Sequence, residues 1–448
     1  MPAPVAAIVS LLLALIGKAA LAGAATPPMG WNSYDAYGTT IDESQVRANA
    51  LWMSRHLQQF GWHYIIVDMG WYVGNPTPAG NAPDAIVTLD AQGRYLPAPH
   101  RFPSSANGAG FAPLAAYVHS LGLAFGIHIL RGMPREALKG NLPIADSPYH
   151  AADAVDVNAP CPWNPDNVGV DPAKPAAQAY YNSIAALYAS WGVDFIKADC
   201  LASHPYSGND IRMLSEALKA TGRDMLLSVS PGPAPLEAMP ELRRYAHLWR
   251  ISNDVWDLWS STGDYPKGLA DIFSLAELWA PEARPGAWPD ADMLAIGYLG
   301  PNPGWGAPRH SRLSADEQRT LVTLWCISRS PLMIGANLTR MDRPTLRLLS
   351  NREVIAVDQD SSAARVAYRN SNVVVWAATP TSGASRYVAV FNLGETPQAL
   401  DLPWPALGID APLSSLRDLW LHRDLGKQPR LRVRLAPHAS ALYRVSVG

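Results

Sequence analysis

Val193-Asp194-Phe195-Ile196-Lys197-Ala198-Asp199 is short, largely apolar, and closes on a carboxylate. Such a run reads as a strand buried on both faces, the texture of a parallel sheet. Four more runs share it: His63 to Asp68, Leu123 to Ile129, Met225 to Ser230 and Leu248 to Asp254. Helical patterns lie between them, over Glu43 to Gly61, Pro175 to Trp191 and Ile211 to Thr221. This alternation predicts parallel strands joined by right-handed crossovers. The 448-residue length, and the lack of a Gly-rich phosphate loop after the first strand, favour a closed (β/α)8 TIM barrel over an open sheet.

Near residue 362 the texture changes. Val373 to Ala378, Tyr387 to Asn392, Leu431 to Leu435 and Ala441 to Val447 are strand-like and separated by Gly, Pro and polar turns, which predicts a C-terminal antiparallel β-sandwich. At the other end, Ala6 to Gly17 is apolar and is followed by small residues around Ala20-Leu21-Ala22 and Ala24-Ala25. It reads as an export signal, too short to span a bilayer, and points to the periplasm or the outside. The expected organisation is a signal peptide over 1–24, a barrel over 25–361 and a sandwich over 362–448. No other segment resembles a transmembrane helix, and no oligomeric state is implied.

Charged residues make up 17% of the chain and the net charge is −2, which gives no ground for a nucleic acid or an anionic membrane as partner. Sixteen Trp and seventeen Tyr stand against seven Phe, and aromatics with a polar handle suit the faces of sugars, although most pack cores. Of the three Cys, Cys326 sits in an apolar run and reads as buried, while Cys161 and Cys200 could pair. None has zinc-site spacing, so no metal is expected.

Catalytic groups of such barrels sit at the C-terminal ends of strands. Asp68, His128, Asp199, Ser230 and Asp254 all fall there. Lys197 and Asp199 are two apart on one strand and share a face, so the ammonium keeps the carboxylate ionised, as a nucleophile must be. Arg250, Ser252 and Asp254 share a face by the same parity, which makes Asp254 a candidate acid and base, with Asp257 as its rival. Two carboxylates flanking a sugar ring are the apparatus of glycoside hydrolysis. About 5–5.5 Å between them gives retention and about 6.5–9.5 Å inversion.

Thr26-Pro27-Pro28-Met29-Gly30-Trp31-Asn32-Ser33 resembles the opening of glycoside hydrolase family 27, the melibiase family of α-galactosidases. The likeness continues through Val67-Asp68-Met69-Gly70-Trp71, Gly192 to Cys200, Trp249-Arg250 to Asp254, Trp288-Pro289-Asp290-Ala291-Asp292-Met293-Leu294, Ser330-Pro331-Leu332-Met333, Val354 to Asp360 and Arg417-Asp418-Leu419-Trp420. It implies a cofactor-free retaining exo-glycosidase acting on oligosaccharides or glycans, with Asp199 as nucleophile and Asp254 as acid/base. Trp31, Asp68, Lys197 and Arg250 match sugar-binding positions. Trp71, His128 and Ser230 are placed with them on the same likeness.

Four positions depart from the family pattern. Met69 stands where a second Asp usually helps hold the galactose hydroxyls. Cys200 follows Asp199 directly, where one residue usually intervenes, so a disulfide to Cys161 needs a local shift. His128 replaces a usual Tyr. Ser230 stands where an acidic residue is common, and a small residue there could admit a bulkier 2-substituent. The leading expectation is an α-galactosidase. The alternatives are an α-N-acetylgalactosaminidase, a β-L-arabinopyranosidase, an isomaltodextranase-like enzyme or, further off, a non-catalytic carbohydrate-binding protein.

Overall fold

The computed structural model describes residues 24–447 except 79, 82, 83 and 411. The export segment expected over 1–24 falls outside them but for Ala24. Eight short strands form the first sheet: β1 (Met29–Asn32), β2 (Tyr64–Val67), β3 (Ala124–Leu130), β4 (Phe195–Asp199), β5 (Leu226–Val229), β6 (Leu248–Arg250), β7 (Trp288–Asp290) and β8 (Leu332–Ile334). Strands β1 to β7 pair in parallel in chain order, and β8 pairs with β1. A parallel bridge between Leu294 and Ile334, in which the Leu294 N–H donates to the Met333 carbonyl at 2.7 Å, closes the ring between β7 and β8.

Helices follow the strands, and their starts are written locally. Helix α1 (Glu43–His56) opens on a capping box between Asp42 and Gln45. Helix α2 (Ala112–Ser120) follows β2 and precedes β3, and α3 (Pro175–Ser190) has Pro in its first turn, where no N–H is missed. Helix α4 (Gly208–Ala220) buries Ile211, Leu214 and Leu218 on one stripe. Helices α5 (Met239–Tyr245), α6 (Leu269–Trp279), α7 (Ala315–Ser328) and α8 (Arg352–Gln359) complete the outer layer. Ser314 and Glu317 cap α7, in which Cys326 is buried as expected.

One sequence expectation fails. Strand β6 ends at Arg250, four residues before Asp254, because its partner β7 ends at the paired Asp290. Beyond that point the Ser252 carbonyl turns to the Gly232 N–H. Strand parity therefore does not place Asp254.

The C-terminal strands are β9 (Ser361–Arg369), β10 (Val373–Pro380), β11 (Arg386–Asn392), β12 (Gln398–Pro403), β13 (Ser414–Asp418), β14 (Arg423–Gln428), β15 (Arg430–Leu435) and β16 (Ser440–Val447). Six form an antiparallel sheet in the order β9-β10-β11-β16-β13-β14, and β12 pairs with β15. Alternation sorts the faces. Val373, Val375, Val388 and Val390 pack with Leu400 of β12 and Leu431 of β15. Val374, Trp376, Ala389 and Phe391 join the same core as the barrel helices. Phe391 meets Phe273 edge-on, and Trp420 Nε1 donates to Thr323 Oγ1 at 3.0 Å, so these aromatics serve the interface rather than a sugar. Asn337, first residue of a glycosylation-like triplet, is buried and donates to the Gly300 carbonyl. Among the described residues no helix is long and apolar enough to cross a membrane.

Candidate active site

The C-terminal ends of the barrel strands open onto a cavity of about 350 Å³. Asp68, Met69, Lys197, Asp199, Asp254 and Asp292 line it, together with Tyr34, Asp35, Trp163, His204, Trp256 and Tyr265. The fold thus brings the expected Asp68, Lys197, Asp199 and Asp254 to one place.

Asp68, just past β2, is held from four sides. Lys197 Nζ donates to its Oδ2 at 2.8 Å and Asn32 Nδ2 to the same oxygen at 2.6 Å. The Met69 N–H donates to its Oδ1, and its own N–H donates to Ser33 Oγ. Burial pushes its pKa up, but the Lys197 charge and these donors outweigh burial and hold it well below the usual carboxylate range. Lys197 shows the reciprocal effect. Burial would lower it, and Asp68, Asp199 and Asp292 raise it instead.

Asp199, the last residue of β4, is treated similarly. Its Oδ1 accepts from the Cys200 N–H at 2.8 Å, and its Oδ2 lies 3.2 Å from His128 Nε2. Burial raises its pKa, but the His128 hydrogen bond, Lys197 and the Cys200 N–H bring it down on balance. The contact implies that the His128 proton sits on Nε2, which leaves the buried Nδ1 without a partner. Cys200 meets the steric demand of following directly with a left-handed φ of +64°, and it pairs with Cys161 across a Cα separation of 5.9 Å.

Asp254 lies on the loop after β6, with its side chain 35% exposed against 13% for Asp199. Arg250 bridges it to a carboxylate absent from the sequence-derived site: its NH2 group is 3.2 Å from Asp254 Oδ1 and 2.8 Å from Asp292 Oδ2. The same Asp292 oxygen accepts from the Val255 N–H at 2.7 Å. The rival, Asp257, is fully buried in ion pairs with Arg309 and Arg312 and does not line the cavity.

The carboxyls therefore divide. Asp68 and Asp199 are pushed down, while Asp35, Asp290 and Asp292 are pushed up, each by burial first. Asp292 also feels Asp254 and Asp290 against the pull of Arg250. Asp35 has an unpartnered Oδ2, and a Cβ at Gly335 would collide with its carboxylate. Lys197 and Arg250 are the cations beside these groups, and burial favours the neutral forms of Asp35, Asp290 and Asp292.

Several expected contacts are corrected. Trp31 is fully buried, donates to the Ala336 carbonyl and packs edge-on to Tyr37, so it offers no face to the cavity. Trp71 is enclosed by Tyr72, Tyr95, Phe111 and Trp191 and donates to the His128 carbonyl. His128 is likewise buried and acts on Asp199 from behind. Ser230 and Arg250 line an inner recess of about 20 Å³, not the main cavity. Ser230 is buried and faces that recess, so it does not line the main cavity where a 2-substituent was expected to meet it. Asp35, Asp292, Trp163 and Tyr265 were missed. Asp292 had a signal, two acidic residues in Trp288-Pro289-Asp290-Ala291-Asp292 at a strand end; the loop aromatics had none.

Known proteins agree with this architecture. Residues 167–360 match the family described as alpha galactosidase A, and residues 370–445 match its C-terminal beta sandwich domain. The crystal structure of a family 27 β-L-arabinopyranosidase from Geobacillus stearothermophilus superposes with a TM-score of 0.90 at 43% identity, covering 94% of this chain and 97% of that one. A Bacillus halodurans C-125 structure, provisionally assigned as an α-N-acetylgalactosaminidase, gives 0.84 at 40% identity over 95% and 98%. Alpha-galactosidase 3 of Arabidopsis thaliana is 29% identical over 90% of this chain and 77% of its own length. The chain belongs to glycoside hydrolase family 27, the melibiase family, and is a glycoside hydrolase.

Proposed function

We propose that this enzyme is a retaining exo-glycosidase that releases terminal β-L-arabinopyranosyl residues in preference to α-D-galactosyl residues. The observation that carries the preference is Met69, which lines the cavity beside Asp68 where the family usually has a second carboxylate. β-L-Arabinopyranose has the ring configuration of α-D-galactopyranose and lacks only the hydroxymethyl group. A thioether in place of a carboxylate removes an acceptor for sugar hydroxyls, and a hydroxyl desolvated without a partner costs about 1–3 kcal/mol. A sugar without the hydroxymethyl group avoids that cost. The similarity to the Geobacillus β-L-arabinopyranosidase supports the same reading.

In the proposed double displacement, Asp199 attacks the anomeric carbon while Asp254 gives its proton to the departing glycosidic oxygen. Asp254 then takes a proton from water, the hydroxide oxygen attacks the anomeric carbon, and Asp199 leaves as a carboxylate. The environments suit these roles. Asp199 is enclosed and held ionised, whereas Asp254 faces the solvent from which the water comes. Asp68 and Lys197 hold the sugar hydroxyls, and the substrate is a terminal sugar on an oligosaccharide or glycan.

Initial rates on the nitrophenyl β-L-arabinopyranoside and α-D-galactopyranoside test the preference. The expected kcat/KM ratio favours the arabinopyranoside by about tenfold or more, the span one small substituent usually commands. Met69→Asp should move the ratio toward the galactoside. A faster galactoside in the unaltered enzyme overturns the preference and returns the chain to the α-galactosidase reading favoured by the curated relatives.

A further inference from the structure

Among the described Trp, Tyr and Phe residues, only Trp163 (42%) and Tyr265 (47%) are exposed. Both line the mouth of the one cavity that holds Asp199 and Asp254. Chance does not readily put the two exposed aromatics of so Trp- and Tyr-rich a chain at one opening.

Each ring is tethered to a different carboxylate. Trp163 lies two residues after Cys161, whose disulfide partner Cys200 directly follows Asp199. Tyr265 lies on a loop that leaves the barrel after Asp254 and returns at Lys267. There the Lys267 N–H donates to the Asp254 carbonyl at 2.8 Å and the Trp256 N–H to the Lys267 carbonyl at 3.0 Å. The two rings are thus carried on segments fastened next to Asp199 and Asp254 respectively. Asn253 and the exposed His204 add hydrogen-bonding groups along the same rim.

We infer that Trp163 and Tyr265 form an aglycone subsite for a pyranose ring, so that the preferred substrate carries its terminal sugar on another sugar. This rests on the exo-glycosidase reading and extends it past the bond that is cut. A pyranose presents an apolar C–H face ringed by hydroxyls, which fits aromatic faces beside amide and imidazole groups. Tyr34 and Trp256 also line the cavity, but Trp256 is fully buried and Tyr34 is not exposed, so the rings open to solvent at the mouth are Trp163 and Tyr265.

The test compares Trp163→Ala, Tyr265→Ala and Trp163→Phe with the unaltered full-length enzyme on three substrates of one terminal sugar. These are the glycosyl fluoride, which has no aglycone ring, a disaccharide with a pyranose aglycone, and the nitrophenyl glycoside. The terminal sugar is whichever of arabinopyranose and galactose the unaltered enzyme cleaves faster, so a failed sugar preference changes the reagent and leaves the test of the rim intact. The expected result is a loss of kcat/KM about tenfold larger on the disaccharide than on the fluoride for each Ala variant, with Trp163→Phe recovering much of it. Equal losses on the two substrates, or none on the disaccharide, would overturn the subsite. A loss confined to the nitrophenyl glycoside would make the rim an aryl site and overturn the carbohydrate assignment.

Discussion

The floor and the rim of the cavity are built on opposite principles. The floor consists of Asp68, Lys197 and Asp199, carried on or just beyond strands, with His128 behind them. Its charges are wholly or largely withdrawn from solvent, and each carboxylate has two or more fixed hydrogen-bond partners. The rim consists of Asp254, Trp163 and Tyr265, carried on loops and open to solvent. A charge that must stabilise a transition state is best fixed in advance, where water cannot compete. A group that exchanges protons with solvent, or meets varied aglycones, needs the mouth.

The greatest loss of activity is expected where the two carboxylates are set against each other. Asp199→Asn removes the proposed nucleophile and should lower turnover by several orders of magnitude on every leaving group. Asp254→Asn should cost as much on unactivated glycosides but far less on a dinitrophenyl glycoside, with added azide restoring turnover as the glycosyl azide. If leaving group and azide make no difference at Asp254, floor and rim do not divide the chemistry in this way. Product stereochemistry by NMR, read as retention, belongs to the same experiment.

A more moderate change tests the fixed charges. Lys197→Met strands a buried Asp68, and breaking such a pair typically costs about 3–5 kcal/mol. Because the folded pKa of Asp68 is depressed, its contribution to stability is complete above the unfolded value of about 4 and is lost as pH falls through the lower folded value. Removing Lys197 weakens that depression, so acid unfolding, followed by tryptophan fluorescence, should begin at higher pH. An unchanged acid midpoint would mean that the floor does not depend on this pair.

The mildest change concerns His128, which touches Asp199 and not the cavity. His128→Asn alters a hydrogen bond to a charged group, worth about 1.5–3 kcal/mol. The expected loss in kcat is about tenfold to a hundredfold, with little change in KM. A change in KM alone would move His128 from positioning to sugar binding.

Legibility followed the same division. Lys197 and Asp199 were placed by alternation along β4, because a buried strand has one period and a definite end. Asp68 followed from the end of β2. Asp254 was expected at the cavity for a wrong reason, since β6 stops at Arg250 and the residue reaches the cavity on a loop. Trp31 and Trp71 went astray because a family motif records that a residue recurs, not which of its faces is covered. The β9, β12, β13 and β14 strands escaped notice because their polar and charged residues lack the apolar run that marked the others.

Residue order alone was enough to read the barrel, the sandwich behind it and the placing of Lys197 and Asp199 on one strand end, because strand period, strand ends and motif order are properties of neighbouring residues. Folding in three dimensions was needed to join Arg250 to both Asp254 and Asp292, to sequester Asp257, and to bring Trp163 and Tyr265 to one opening. Those facts depend on loops distant in the chain converging at one end of the barrel. No local pattern encodes a contact between segments whose spacing is set by everything packed between them.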